Sequence, residues 1–319
     1  MKLFYKWSTI RRLLKYTSPF TRLLSQPKIK KYAMLPPKHE PIFILGAPRS
    51  GTTIIFQIIT HYYDLLYPTN LVELSRENLY FGFWLNQLFS KNKPHNCFRS
   101  HYGITEDCGL FAPNEKGKFW WEWVPKGSLD RGQLDEFIRN EIKQTLYSVI
   151  NRFNKPLIFK QLVLGIQIPA ILEIFPQAKF ILVKRDPLFT AQSLYREAQD
   201  VKIDIFKWVG VWPRGYEKLT GLPLHTKIVR LIHLIYTEVI ENYKLISEQN
   251  KCVINYEDLQ GDGERIYRKL QPVLKDVPLK ADILSSNIKA ANKQKTSADE
   301  FEKLKKEIEL LDWHFLEEI

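Results

Sequence analysis

The stretch FILGAPRSGTTIIFQII, residues 43 to 59, decides the fold. Ile42 to Leu45 is a short, wholly apolar strand of the kind buried in a parallel sheet, and Ile54 to Ile59 continues a helix whose first turn holds Thr52 and Thr53. Between them lies a turn bounded by Gly46 and Gly51. Such a turn points backbone N–H groups into one concavity at the positive end of a helix dipole, which is where phosphate or sulfate groups bind. Arg49 adds a charged, planar donor fork, and Ser50, Thr52 and Thr53 add neutral donors. The spacing matches the front of a nucleotide-triphosphatase P-loop, yet Thr52 stands where that motif requires lysine.

Strand and helix alternate again downstream. Leu157 to Phe159 reads as a strand ending at Lys160, Ile168 to Phe175 as a helix, and Phe180 to Val183 as a buried strand running out into Lys184, Arg185, Asp186 and Pro187. A helix carrying Ser193 follows, with Asp186 as its cap. This order predicts an α/β fold: a three-layer sandwich around a central, mostly parallel sheet, with a P-loop-like anion-binding loop. Ligands of such sheets gather at the carboxyl ends of the strands, where Arg49, Lys160 and Arg185 all fall.

The paired segments GAPRSGTT (46 to 53) and FILVKRDPLFTAQS (180 to 193) resemble the two cofactor motifs of bacterial-type sulfotransferases, relatives of the tyrosylprotein and glycan enzymes, that use 3′-phosphoadenosine 5′-phosphosulfate (PAPS). The resemblance implies that Arg49, Ser50, Gly51, Thr52 and Thr53 hold the phosphosulfate end, and that Arg185 and Ser193 hold the 3′-phosphate. It implies PAPS as co-substrate, the bisphosphate PAP as product, and no metal. Lys160 stands where related enzymes have a lysine on the transferring group. Glu73, 24 residues after Arg49, stands where they place a catalytic glutamate. VINYEDL (253 to 259) is similar to the family's late strand element, and SNIKAANK (286 to 293) to its cofactor-covering segment, which implies Asn287 and Lys293 near the nucleotide. Tyr256 reads as a packing residue.

Sulfuryl transfer is an in-line displacement that needs positioned charge and a base for the acceptor proton. His61, Glu106, Asp107 and Glu115 are further candidates beside Glu73 for that base, and Trp120, Trp121 and Trp123 could face a sugar ring. Two alternatives stay open. A P-loop small-molecule kinase lacks its lysine here, and a non-catalytic, nucleotide-binding, membrane-associated protein would need neither Glu73 nor Lys160.

The chain has 319 residues and a net charge of +12, of which residues 1 to 39 carry ten lysines and arginines and no acid. Leu3, Trp7, Ile10 and Leu14 recur there at helical spacing until Pro19 closes the pattern. The segment reads as a basic amphipathic helix for an anionic membrane surface. Residues 40 to 319 read as a single domain, with residues 75 to 150 as a helical insertion that builds the acceptor site. No apolar run has the length of a signal peptide core or a membrane span. Cys97, Cys108 and Cys252 supply neither a disulfide framework nor a zinc spacing, which predicts a cytoplasmic protein, peripheral at the inner face of the membrane. The acceptor expected is a glycan or glycolipid, with no nucleic-acid partner.

Overall fold

A computed structural model of the chain describes residues 2–90, 98, 105, 108–115, 117, 119–202, 204–260, 263–281 and 292–319, with the backbone alone for 2–7. Its sheet has four strands, β1 (Ile42–Gly46), β2 (Ile158–Lys160), β3 (Lys179–Lys184) and β4 (Lys251–Asn255), in the order β2-β1-β3-β4 and all parallel. The central strand β1 is buried along its whole length, which is why it reads as an unbroken apolar run rather than an alternating one. Its side chains nevertheless divide by parity. Phe43 and Leu45 enter one core with Phe159, Phe180 and Leu182, while Ile42 and Ile44 enter the other with Ile158, Ile181 and Ile254.

Helices cover both faces. The second core is closed by α2 (Thr52–Tyr62) and α11 (Gly263–Leu274) through residues such as Ile55, Phe56, Ile266 and Leu270. The first is closed by α6 (Glu136–Phe153), α7 (Ile168–Ile174), α8 (Pro187–Val201), α10 (Leu224–Tyr243) and α12 (Ala298–Glu309). Shorter elements, α3 (Asn70–Leu74), α4 (Leu79–Ser90), α5 (Trp120–Trp123) and α9 (Ile205–Val209), fill the connections. The result is the expected three-layer α/β sandwich, and parallel strands bring Gly46, Lys160, Lys184 and Asn255 to one edge.

The first helix departs from the sequence reading. α1 runs over Lys2–Ala33 with Pro19 and Pro27 inside it, so Pro19 does not end it. An internal proline costs a helix about 3 kcal/mol, and docking on the body offsets that cost. Asn78 donates to Thr21 Oγ1 and Ser25 Oγ at 3.3 and 3.2 Å, Arg22 Nε to the Glu77 carbonyl at 2.5 Å, and Asn151 to the carbonyls of Tyr32 and Leu35 at 2.9 and 3.1 Å. Ser18 and Ser25 are buried, and Ile29 and Tyr32 pack on the first core. Ile10 and Leu14 fall in line with this inward row and are half-buried. The exposed apolar side chains are a different set: Leu13, Tyr16, Phe20, Leu23 and Leu24.

Two further expectations change. Trp120 is fully buried, edge-on to Phe43 and Phe159 in the core, so it presents no face to a ligand; Trp121 is the exposed member of the trio. Cys108 is disulfide-bonded, where the sequence reading expected no disulfide framework, and Cys252 is a buried free thiol.

Candidate functional site

The loop after β1 is held by backbone conformations that its glycines permit. Gly51 has φ 95° and caps α2 without any side-chain hydrogen bond, leaving the first-turn amides of the helix directed out of its positive end. A Cβ on Gly51 would lie 2.3 Å from Tyr256 Cδ2, so the loop and the end of β4 approach too closely for any other residue. Arg49 itself takes a left-handed φ of 68°, uncommon for a side-chain-bearing residue.

That conformation turns Arg49 toward the second motif. Arg49 Nε donates to Ser193 Oγ at 3.1 Å and lies 3.4 Å from Glu197 Oε2. Ser193 and Glu197 are one turn apart on α8, whose N-terminus is capped by Asp186 accepting from the amides of Leu188 and Phe189. Glu197 is buried and its other oxygen accepts from Trp208 Nε1 at 2.8 Å, which fixes the carboxylate for Arg49.

Arg185 leaves the end of β3 and closes the other side. Its Nη1 donates to the Arg49 carbonyl at 3.1 Å, its Nε to Asn292 Oδ1 at 2.9 Å, and its guanidinium lies 4.4 Å from the Tyr256 ring centroid. Glu257 Oε1 in turn accepts from Asn292 Nδ2 at 2.6 Å and from the Asp186 amide at 3.2 Å. Burial lowers the pKa of Arg185 and Arg49 adds to that, while Tyr256 and Glu257 oppose it. Two guanidinium groups share one rim, an arrangement that a bound anion would relieve. The Tyr236 hydroxyl, buried beside Ser50 and Thr190, accepts from the Arg185 amide at 3.2 Å, and burial raises its pKa.

A third cluster lies at the end of β2. Lys160 Nζ is 3.0 Å from Glu115 Oε2, and Thr53 Oγ1 donates to the same oxygen at 2.7 Å. Glu73, on α3, lies 4.0 Å from Arg76 Nη1. His61 sits at the far end of α2 against Tyr62 and Phe98, and burial together with Lys280 lowers its pKa, so it is a neutral helix-end residue. Lys184 donates to the C-terminal carbonyls of Leu316 and Ile319.

The structure therefore brings Arg49, Ser193 and Arg185 into one hydrogen-bonded group, and Thr53 and Lys160 into another. Ser50, Gly51 and Thr52 form the loop between them. The Lys293 carbonyl accepts from Gln192 Nε2 at 3.0 Å, which ties the segment behind Asn292 to α8. Asn287, Glu106 and Asp107 lie outside the described residues. Sequence reasoning missed Glu197, Glu257, Asn292 and Tyr236. Of these only Glu197 had a local signal, its spacing of four from Ser193 on one helix face.

Comparison with known proteins gives concordant findings. The model of the Sulfotransferase family matches residues 41–275. Curated relatives from Mycobacterium bovis and Mycobacterium tuberculosis, each named omega-hydroxy-beta-dihydromenaquinone-9 sulfotransferase Stf3, are 25% identical over 257 residues, covering 72% of this chain and 61% of theirs. The chain thus spans about three fifths of the length of those relatives. Among solved structures, sulfotransferase STF9 from Mycobacterium avium shares the fold with a TM-score of 0.50 at 16% identity, over 90% of this chain and 71% of that one.

Proposed function

The chain belongs to the sulfotransferase family, and on that premise we propose that it moves a sulfuryl group from PAPS to a hydroxyl of a glycan or glycolipid by in-line displacement. The observation that carries the reading is the pairing of Arg49 with Ser193 and of Arg185 with the Arg49 carbonyl, which sets two guanidinium groups on one rim of the sheet. Such a rim suits a ligand with anionic groups at two ends. In this assignment the α2 amides, Arg49, Ser50, Gly51, Thr52 and Thr53 hold the phosphosulfate. Arg185 and Ser193 hold the 3′-phosphate, with Asn287 and Lys293 over the nucleotide. Lys160 neutralises charge on the transferring group and a glutamate, Glu73 by the resemblance, takes the acceptor proton. The cationic side chains supply the charge that a metal supplies in phosphoryl transfer.

A second acceptor class has its own support. The curated relatives are named for an omega-hydroxylated menaquinone, and α1 exposes Leu13, Tyr16, Phe20, Leu23 and Leu24 among cations. A hydroxyl at the end of an apolar, membrane-held chain fits both. We place residues 1 to 39 on the anionic inner face of the membrane on the same grounds.

The test is direct. The protein is incubated with labelled PAPS and a panel of glycans, glycolipids, long-chain alcohols and phenols, and each product is weighed for an added sulfate. Transfer to a hydroxylated acceptor, reduced at least about tenfold in Lys160→Ala, is expected. Absence of PAP release with every acceptor and with water would overturn the reading.

A further inference from the structure

Glu115 is 2% exposed at its side chain, yet its two oxygens have unequal surroundings. Oε2 accepts from Lys160 Nζ at 3.0 Å and Thr53 Oγ1 at 2.7 Å. Oε1 is sealed from solvent and meets no hydrogen-bond donor among the described residues. A buried carboxylate oxygen without a donor is costly, and such an atom persists where a ligand brings the missing partner.

The residue is also held in place. The Asn114 amide donates to the Pro68 carbonyl at 2.8 Å, Asn114 Nδ2 to Asn70 Oδ1 at 2.8 Å, and Gln161 Nε2 to the Gly117 carbonyl at 3.3 Å. Anchors on both sides fix the carboxylate to the rim rather than leaving it on a loose loop. Because Lys160 and Thr53 fasten Oε2, Oε1 is the oxygen with bonding capacity left, and an acceptor hydroxyl reaches it when the groups that seal it move aside.

Resting on the sulfotransferase reading, we infer that Glu115 is the catalytic base. Oε1 takes the proton of the acceptor hydroxyl while the acceptor oxygen bonds to sulfur. The sulfur–oxygen bond to the 5′-phosphate breaks and its electron pair leaves on the phosphate of PAP. Lys160 and Thr53 then serve two ends of one step, orienting the base and facing the transferring group. Glu115 here replaces Glu73, to which the resemblance gives this role. Glu73 Oε2 is likewise sealed from solvent and Glu73 lies 4.0 Å from Arg76 Nη1, so the choice between the two acids rests on the contacts of Glu115 with Lys160 and Thr53.

The experiment uses the full chain with PAPS and three probes: dodecanol, p-nitrophenol and water, the last followed as PAP release. Glu115→Gln should slow transfer to dodecanol and to water at least about 100-fold and remove the fall in rate at low pH. Transfer to p-nitrophenol, measured at about pH 8 where this phenol is largely ionised, should fall less than about tenfold, and PAP should bind within about threefold of wild type by calorimetry. Glu115→Asp, which keeps a carboxylate, should retain the low-pH limb and a part of the rate. Equal slowing of every probe would overturn the assignment and leave Glu115 a positioning residue. Loss of the low-pH limb in Glu73→Gln instead, or tighter PAP binding with full transfer in Glu115→Gln, would overturn it too. A wild-type protein inert with all three probes would contradict the sulfotransferase reading itself, so the two failures are distinguishable.

Discussion

Gly51 shows how one residue type serves both backbone and ligand. Its φ of 95° and the 2.3 Å approach a Cβ would make to Tyr256 Cδ2 bind the loop to the residue that stacks under Arg185. Gly51→Ala is expected to lower stability by about 1–3 kcal/mol in denaturant unfolding, and to weaken PAP binding because Tyr256 must move. Unchanged stability would mean that the loop relaxes freely. At this scale the sequence was legible where chemistry is local. Arg49 and Arg185 stand out because glycine, apolar runs and strand ends frame them. Glu257 and Asn292 do not, since their value to Arg185 arises from segments 72 and 107 positions away, by subtraction, folding onto it. Glu115 was visible as an acid in an aromatic segment, but nothing near it in sequence announces Lys160 or Thr53.

At the scale of elements, α8 links the two motifs, because its first turn carries the Asp186 cap and its second and third turns carry Ser193 and Glu197. Asp186→Ala is expected to cost about 1 kcal/mol of stability through loss of the cap and to weaken PAP binding through Arg49. A variant that loses stability while keeping PAP affinity would show that α8 is held by packing alone. Strands and their parity were readable from apolar runs. The continuation of α1 through Pro19 was not, because local propensity favours a break and only the polar contacts from Asn78, Asn151 and Arg22 override it. The same docking chooses which apolar row faces out. Phe20→Asp with Leu23→Asp is expected to cut binding to vesicles containing phosphatidylglycerol by more than about tenfold, and binding should weaken as salt rises. Undiminished binding in that variant would contradict the membrane assignment.

Over the whole molecule, charge is distributed unevenly, with ten cations in residues 1 to 39 and the guanidinium groups of Arg49 and Arg185 at the carboxyl edge of the sheet. One half-buried cation lies apart from both. Lys280 is half-buried beside the Lys155–Asp64 ion pair and the Tyr67 ring, and its pKa is pushed down to about 8 from 10.5, chiefly by burial, with Lys155 adding and Asp64 opposing. The folded form releases this proton near pH 8 while the unfolded chain keeps it to about 10.5, so stability rises with pH through that window. Below it the cost of the buried charge stands in full. Lys280→Met should therefore raise stability at pH 7 by about 1 kcal/mol after allowance for solvent screening, and the gain should vanish above pH 10.5 in thermal unfolding.

The central claim concerns the shared rim, and calorimetric titration of PAP, set against ATP with magnesium, tests it most directly. PAP is expected to bind the wild type in preference to ATP–magnesium and to lose at least about tenfold in affinity in Arg185→Ala. Preferential binding of ATP–magnesium, or PAP affinity indifferent to Arg185, would contradict it.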